Sequence, residues 1–306
     1  MGMALQPEDG LQSKRTSNTF LEKLVVGTAS WANDYGLMNT NHVSLSEAAK
    51  ILETAKNAGV VGIDTAPAYG GSEPLLGSFD MKQFQIFTKP SLGDGSFVAL
   101  ELLKSIKTSL GHLGVQGVQG ITFHSATAFL ANHSEFVAVA KRSIDSGACG
   151  SWGVSVYEPS ELEAVLQSST PDYIQAPVSI IDQRFVSPKV ADMLHAKGVA
   201  LQARSVYLQG LLLQDPRTLP PRFAAWEPLL TSYVNAAKEL GLSMQQLSLR
   251  AVLEQSLVRT AAVGVNSQVQ MRDLISSIGQ DLEIPALTDF TSDSSQALID
   301  PRTWNF

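Results

Sequence analysis

The 306-residue chain is 44% hydrophobic and 17% charged, which is ordinary for a globular protein, and its length allows one or two domains. Its net charge of −7 argues against nucleic acid or an anionic membrane as partner, since both favour basic surfaces. Apolar runs of about 18 residues are absent, residues 1–20 lack the apolar core of a secretory signal, and the single Cys149 excludes an internal disulfide. We therefore expect a cytoplasmic globular protein.

Short apolar runs recur along the chain, and segments with helical periodicity separate them. The runs that we predict to be strands span residues 24–28, 60–64, 84–89, 118–124, 151–155, 172–176, 199–203 and 260–264. Strands that alternate with helices of 10–15 residues indicate βαβ units and a parallel sheet.

The ends of several predicted helices are marked by specific residues. Ser44 and Glu47 form a capping-box pattern, and the helix that they begin is expected to end at Gly59. Pro159 and Pro188 each suit the first position of a helix. The regular alternation of strands and helices therefore extends over most of the chain.

Eight such units predict a single-domain (β/α)₈ barrel over residues 21–306, preceded by an N-terminal arm at residues 1–20. A doubly wound nucleotide-binding sheet is less favoured because no Gly-x-Gly-x-x-Gly follows the first predicted strand. Two segments interrupt the alternation, residues 204–222 after strand seven and the tail at 285–306. Long loops on a barrel are usually lids or binding loops.

Ionisable residues lie at the ends of three consecutive predicted strands. Asp64 ends the second strand and Tyr69 follows five residues later, Lys89 ends the third and His124 ends the fourth. Each has an ordinary structural explanation when taken alone, such as a cap, a packing residue or a core histidine. Together they favour a catalytic site, because the C-terminal strand ends of a barrel meet at one face.

The chemistry of this set suits protonation of a carbonyl oxygen. A free tyrosine has a pKa of about 10, and a buried ammonium beside it favours the phenolate. A carboxylate would keep that lysine charged, and a histidine could orient a carbonyl oxygen. Because the set has no nucleophile–base pair, simple acyl transfer is disfavoured. A Schiff-base aldolase that uses Lys89 is an alternative, but it leaves Tyr69 and Asp64 without clear roles.

The motifs around these residues resemble those of the aldo-keto reductase superfamily, in its bacterial type. The segment at residues 59–77, Thr88-Lys89-Pro90 and Thr122-Phe123-His124 are similar to the motifs that hold the family's four catalytic residues. The resemblance implies metal-free, NAD(P)H-dependent reduction of an aldehyde or ketone on a (β/α)₈ barrel. It makes Tyr69 the general acid. A nucleotide-binding sensor or partner subunit with little turnover is the alternative.

The same resemblance implies a set of cofactor-binding residues. They are Gly27, Thr28, Ser155, Gln175, Arg204, Ser205, Gly264, Asn266, Ser267 and Gln270. Val156 replaces the asparagine that usually follows the serine, and Arg204-Ser205 falls where many relatives have an aromatic residue. Gly264 and Gln270 replace a lysine and an arginine that many relatives place on the 2′-phosphate. NADP is therefore the family expectation, and NAD remains open.

Aromatic residues are the candidates for the substrate pocket. Trp31 and Tyr35 follow the first strand, and Trp304 or Phe306 could reach the pocket from the tail. Alternatively, the last two simply attach the terminus to the barrel. The sequences at residues 70–73 and 207–211 resemble bacterial members encoded beside sugar or polysaccharide genes, which suggests a sugar-derived carbonyl compound.

Overall fold

A computed structural model describes residues 20–32, 42–92, 98–278 and 283–304, and in it eight parallel strands close into a barrel. Each strand pairs with the next, and the first pairs with the last, with Gly27 opposite Gly264. The expected (β/α)₈ barrel is therefore confirmed. The strands are β1 (Leu24–Gly27), β2 (Gly62–Asp64), β3 (Gln85–Thr88), β4 (Gly120–Phe123), β5 (Trp152–Ser155), β6 (Tyr173–Pro177), β7 (Ala200–Arg204) and β8 (Val258–Gly264).

All eight predicted strands overlap an observed strand, and the differences lie at their ends. Strand β2 begins at Gly62, two residues later than predicted, because the Val60 N–H still donates to Ala55 in the preceding helix. Strand β8 begins at Val258, two residues earlier than predicted. The predicted arm at residues 1–20 lies outside the described residues except for Phe20.

Helices surround the barrel, and none of the described ones is both long and apolar enough to cross a membrane. They are α1 (Leu45–Asn57), α2 (Ser72–Leu76), α3 (Val98–Leu113), α4 (Ala126–Ala131), α5 (His133–Asp145), α6 (Pro159–Ser168), α7 (Pro188–Lys197), α8 (Glu227–Glu239), α9 (Met244–Leu253), α10 (Gln268–Ile278) and α11 (Gln296–Ile299). Their buried faces and the strands form one continuous apolar core.

The helix ends follow the sequence signals, with one difference. The Ser44 side chain caps α1 by accepting from the Glu47 N–H, and Pro159 and Pro188 are the first residues of α6 and α7. The Glu47 carboxylate does not complete the predicted capping box. It accepts instead from the backbone N–H of Gln268, the first residue of α10. Helix α1 is thereby joined to the last helix of the barrel.

The two long segments are folded against each other at one end of the barrel. After β7 the chain forms short 3₁₀ turns at Leu208–Leu213, Pro216–Thr218 and Pro221–Trp226. The tail returns over them, and the buried Trp304 ring packs edge-on against Phe223 with 5.1 Å between ring centroids. Trp304 therefore attaches the C-terminal tail to the loop. Phe306 lies outside the described residues.

Candidate active site

The segment after β2 turns sharply and is tied to its neighbours by Ser72. A 3₁₀ turn at Pro67–Tyr69 ends at Gly70, whose φ of 61° lies in the left-handed region that favours glycine. The Ser72 hydroxyl then bonds to the Tyr69 carbonyl at 2.8 Å and to the Thr28 carbonyl at 2.9 Å. The backbone that bears Tyr69 is thus held against the loop that follows β1.

Lys89 is the buried cation of the site. Its Nζ lies 2.5 Å from Oδ2 of Asp64 and 5.0 Å from the centre of the Tyr69 ring, and it also hydrogen-bonds to the Tyr69 side chain. Burial works to lower the pKa of Lys89, but the Asp64 charge and Tyr69 together raise it above its ordinary value. Lys89 is therefore protonated at neutral pH. A protonated lysine is not a nucleophile, which disfavours the aldolase alternative.

Asp64 also connects the lysine to the other side of the barrel. Its second oxygen accepts from Nε2 of Gln175 at 2.9 Å, and the same Nε2 lies 2.6 Å from Oε1 of Gln202. Residues of β2, β6 and β7 and the residue that follows β3 thus form one polar network inside the barrel. The Oε1 atom of Gln175 is buried and has no hydrogen-bond partner among the residues that the structure describes. A buried acceptor without a partner is unusual in folded proteins, and Gln175 borders the cleft described below.

His124 follows the last residue of β4, as the sequence predicts. Although its side chain is exposed, the surrounding protein removes part of its hydration, and Lys89 and Arg204 add positive charge nearby. Together these effects lower the pKa of His124 to about 4, against a smaller opposing effect of Asp64. The imidazole is therefore neutral at pH 7 and can donate a hydrogen bond from one ring nitrogen.

A cleft of about 370 Å³ opens beside Asp64 and Tyr69 and extends over the C-terminal ends of the strands. Seven of the ten residues expected to bind the cofactor line it: Gly27, Gln175, Arg204, Ser205, Gly264, Asn266 and Gln270. The other three are nearby in the chain but outside the lining. Thr28 is buried and bonds to the Asp64 carbonyl, Ser155 is buried at the end of β5, and Ser267 accepts from the Gln270 N–H.

The cleft ends at the start of α10, where several hydrogen-bonding groups are already paired. The Asn266 N–H donates to Oε1 of Gln270 at 2.7 Å, and Ser30 bonds to the Asn266 side chain at 2.5 Å. The Gln268 N–H donates to Glu47 at 2.6 Å. Neutral side chains line this end of the cleft.

The structure also adds residues that the sequence did not identify. Tyr157, two residues after β5, lies under the guanidinium of Arg204, with 4.0 Å from Cζ to the ring centre. The loop after β7 lines the cleft with Gln209 and Gly210, and its Leu208 and Gln209 have positive φ although they are not glycines. Such strained backbone is concentrated at functional sites. No sequence motif signalled the strain, but the unusual length of the loop did point to a binding role.

Of the two proposed substrate-pocket residues, the structure describes only Trp31. Trp31 is fully buried, its indole N–H donates to the Val265 carbonyl at 2.7 Å, and it is not among the residues that line the cleft. Its contact joins the loop after β1 to the loop after β8. Tyr35 lies outside the described residues.

Comparisons with known proteins agree with this geometry. The sequence profile of the Aldo/keto reductase family matches residues 23–288. No curated protein sequence matches the chain. Similar solved structures include the aldo-keto reductase AKR11C1 from Bacillus halodurans in its holo form, at 19% identity and a TM-score of 0.69, covering 86% of this chain and 88% of that one. The glycerol dehydrogenase AKR11B4 from Gluconobacter oxydans has 18% identity and a TM-score of 0.68, covering 92% and 94%. The chain belongs to the aldo/keto reductase family.

Proposed function

We propose that this NAD(P)H-dependent oxidoreductase of the aldo/keto reductase family reduces an aldehyde or ketone to an alcohol, with Tyr69 as the proton donor. The observation that carries the proposal is the buried Lys89 ammonium, bonded to both Asp64 and Tyr69. A cation at the phenol stabilises the phenolate that remains once the proton has left. Asp64 balances the charge of Lys89, which offsets much of the cost of burying that cation.

The neighbouring residues support the same step. His124, neutral at pH 7, can donate a hydrogen bond to the carbonyl oxygen and hold it near the Tyr69 hydroxyl. The proton of Tyr69 goes to that oxygen as the carbonyl carbon gains a hydride, and solvent then reprotonates the phenolate. When bound, the reduced nicotinamide supplies the hydride.

The residues of the cleft fit a nicotinamide nucleotide. The unpartnered Oε1 of Gln175 is suited to accept an N–H of the carboxamide, and Ser155 at the end of β5 is a further candidate for this group. Ser205, Gln209 and Asn266 line the same cleft as Gln175. The carboxamide asparagine that is usual in relatives is Val156 here, so fewer side chains hold this end.

The far end of the cleft supports NADH rather than NADPH. A 2′-phosphate is bound best by lysine, arginine or free N–H groups at a helix start. Here the N–H groups of Asn266 and Gln268 are already bonded, and the carboxylate on Gln268 belongs to Glu47. Its negative charge repels a phosphate placed at this helix end.

Fluorescence titration tests the coenzyme preference independently of turnover. We expect the Kd of NADH to be at least about tenfold below that of NADPH, a difference of about 1.4 kcal/mol. Glu47→Gln should narrow the difference by improving NADPH binding. Equal affinities for the two coenzymes in the unchanged protein would contradict the preference.

The test of the reductase function compares two tyrosine variants. Tyr69→Phe should lower kcat for reduction of nitrobenzaldehyde by about 10²-fold or more, because it removes the general acid. Its NADH affinity should stay within a few-fold of the unchanged protein. Tyr233→Phe, which removes a buried hydroxyl bonded to Thr291 outside the cleft, is the matched control and should retain activity.

Full activity of Tyr69→Phe would overturn the role of Tyr69. Tight binding of NADH without reduction of any tested carbonyl compound would instead favour the nucleotide-binding sensor. Val156, which replaces the usual carboxamide asparagine, is compatible with that alternative.

A further inference from the structure

Glu73 is a buried carboxyl that the proton and hydride transfers do not use. It is the second residue of α2, close to Tyr69 in the chain, and its side chain is fully buried although it does not line the cleft. Burial raises the pKa of Glu73, against smaller opposing effects of Thr88, Ser109 and His112. A carboxyl is almost never fully buried without polar partners, so the contacts of Glu73 indicate its role.

The Glu73 carboxylate is bonded to the end of β3. Its Oε1 accepts from the hydroxyl of Thr88 at 2.6 Å, and Thr88 is the last residue of the strand, directly before Lys89. Successive side chains of a strand point to opposite faces, so Thr88 points outward to α2 while Lys89 points into the barrel. Glu73 thus holds the backbone that bears Lys89 from outside the cleft.

Helix α2 is pressed against α3 at the same place. Gly77 follows the last residue of α2, and a Cβ there would lie 1.8 Å from the carbonyl oxygen of His112, so a glycine is required for this approach. Nδ1 of His112 lies 3.8 Å from Oε2 of Glu73. Glu73 is therefore enclosed by β3 on one side and α3 on the other, which leaves its carboxylate little room to move.

Ser72, the residue before Glu73, is bonded to two further loops. Its hydroxyl lies 2.8 Å from the carbonyl oxygen of Tyr69 and 2.9 Å from that of Thr28. Ser72 and Glu73, which we call the clamp, therefore join the chain segments at the ends of β1, β2 and β3. Because adjacent residues of one helix move together, the clamp fixes the backbone that bears Tyr69 relative to the backbone that bears Lys89.

The separation of Tyr69 and Lys89 determines how strongly the ammonium favours the phenolate. The attraction between two charges varies inversely with their distance, so an increase from about 3 to about 4 Å weakens it by about a quarter. At an effective dielectric constant of about 20, this change corresponds to about one pKa unit. A small displacement of either backbone therefore makes Tyr69 a weaker proton donor.

We propose that Glu73 is a positioning residue of the reductase, which sets the separation of Tyr69 and Lys89. It acts through its bond to Thr88, while Ser72 fixes the same helix to the Tyr69 loop. This inference rests on the proposed reductase function. Glu73 contributes no atom to the cleft, so its effect passes through the backbone, and it is needed as a hydrogen-bond acceptor rather than as a charge.

The test removes both partners of the bond and so separates positioning from stability. In Glu73→Leu/Thr88→Val neither buried group is left unpaired, so most of the Tm lost in Glu73→Leu alone should return. The kcat for nitrobenzaldehyde should still be about tenfold or more below that of the unchanged protein, because a displacement of about 1 Å is sufficient for such a loss. The Kd of NADH should stay within about threefold. Thr88→Val alone should lower kcat in the same way, so the test does not depend on the folding of the double variant.

The pH profile provides a measurement that a purely structural role would not change. Reduction requires the Tyr69 proton, so kcat falls as the pH rises through the ionisation of Tyr69. Without the bond between Glu73 and Thr88, that midpoint should move up by about one pH unit, since Lys89 then stabilises the phenolate less. The NMR signal of the Tyr69 ring, identified by its loss in Tyr69→Phe, reports the same midpoint directly.

Two further variants are the controls. Glu73→Gln keeps an oxygen that can accept from Thr88, so kcat and the midpoint should stay close to those of the unchanged protein. Leu194→Ala removes a fully buried side chain of α7 away from the cleft, and it should lower the Tm without changing kcat or the midpoint.

The outcomes that overturn the inference are distinct. If the double variant keeps the kcat and the midpoint of the unchanged protein, Glu73 is only structural and the inference is wrong, while the reductase function stands. If Glu73→Gln loses as much activity as Glu73→Leu, the charge matters rather than the bond, and the inference is again wrong. If the unchanged protein reduces no carbonyl compound, the proposed function itself fails and this inference fails with it.

Discussion

The strongest test of the site's electrostatics is the change Asp64→Asn. At an effective dielectric constant of about 20, two unit charges 2.5 Å apart attract each other by about 7 kcal/mol, most of which offsets the cost of removing both from water. Removing only the carboxylate leaves Lys89 charged and buried, which costs about 3–5 kcal/mol. At roughly 2 cal/mol/K of unfolding entropy per residue, that loss lowers the Tm by about 5–8 °C.

The pH dependence of this loss has a defined sign. In the unchanged protein the pKa of Lys89 is raised, so its contribution to stability is complete below its ordinary pKa of 10.5 and is lost as the pH rises through the folded value. In Asp64→Asn, burial without the carboxylate lowers the pKa of Lys89. The cost of burying a charged Lys89 then falls as the pH rises toward 10.5, because the lysine loses its proton in the folded state. The difference in Tm between the two proteins should therefore narrow from pH 7 to pH 10.

Scanning calorimetry at pH 7, 8.5 and 10 measures the effect, and two further variants control for it. Asp64→Asn/Lys89→Met should recover most of the lost Tm, since it removes the uncompensated charge. Asp215→Asn breaks an ion pair of the same 2.5 Å length, between Asp215 and Arg217, that lies on the surface, and should not change the Tm measurably. A double variant less stable than Asp64→Asn, or equal losses for the two single variants, would refute the reasoning.

Three further measurements test other parts of the structure. Burial raises the pKa of Glu73 above its ordinary value of 4.5, so the ionised carboxylate destabilises the folded protein and this cost disappears at low pH. Glu73→Gln should therefore raise the Tm at pH 8 but much less at pH 4. Equal gains at the two pH values would contradict this. An NMR titration of His124 should have its midpoint near pH 4. A midpoint near 6.5, the ordinary value, would show that burial and the charges of Lys89 and Arg204 do not act on the ring. Gly77→Ala would place Cβ 1.8 Å from a carbonyl oxygen of α3 and should cost about 1–3 kcal/mol, whereas Gly111→Ala, with open space around it, should be neutral or stabilising.

The barrel could be predicted from the sequence because its signals are local. Each strand is a short apolar run and each helix has a period of its own, so eight repeats were visible without any long-range information. The strand ends were less accurate because a residue such as Val60 can bond either to the preceding helix or to the next strand. Local composition does not decide between these partners.

The site was predictable only in part, for a physical reason. The positions of Asp64, Lys89 and His124 were predictable because a place at a strand end on a barrel determines the face on which a residue lies. The contact between Glu47 and Gln268 joins residues 221 positions apart, and it was read from the sequence as one half of a local capping box. Trp31 was likewise assigned to a pocket wall, because nothing in the sequence around it indicates that its side chain is buried and bonds to Val265.

Val156 and Arg204 are two departures from the pattern of the relatives that the sequence resembles, and in the structure these two residues are hydrogen-bonded to each other. The Val156 side chain is buried and offers no amide, while its backbone carbonyl accepts the Arg204 guanidinium across the end of the barrel. An arginine at the end of β7 needs hydrogen-bond acceptors, and this carbonyl, which follows β5, supplies one without a charge. The carboxylates of Asp182 and Asp300 lie near enough to act on the charge of Arg204. Val156 thus offers fewer contacts to the carboxamide, while its carbonyl fixes the Arg204 side chain at the end of β7.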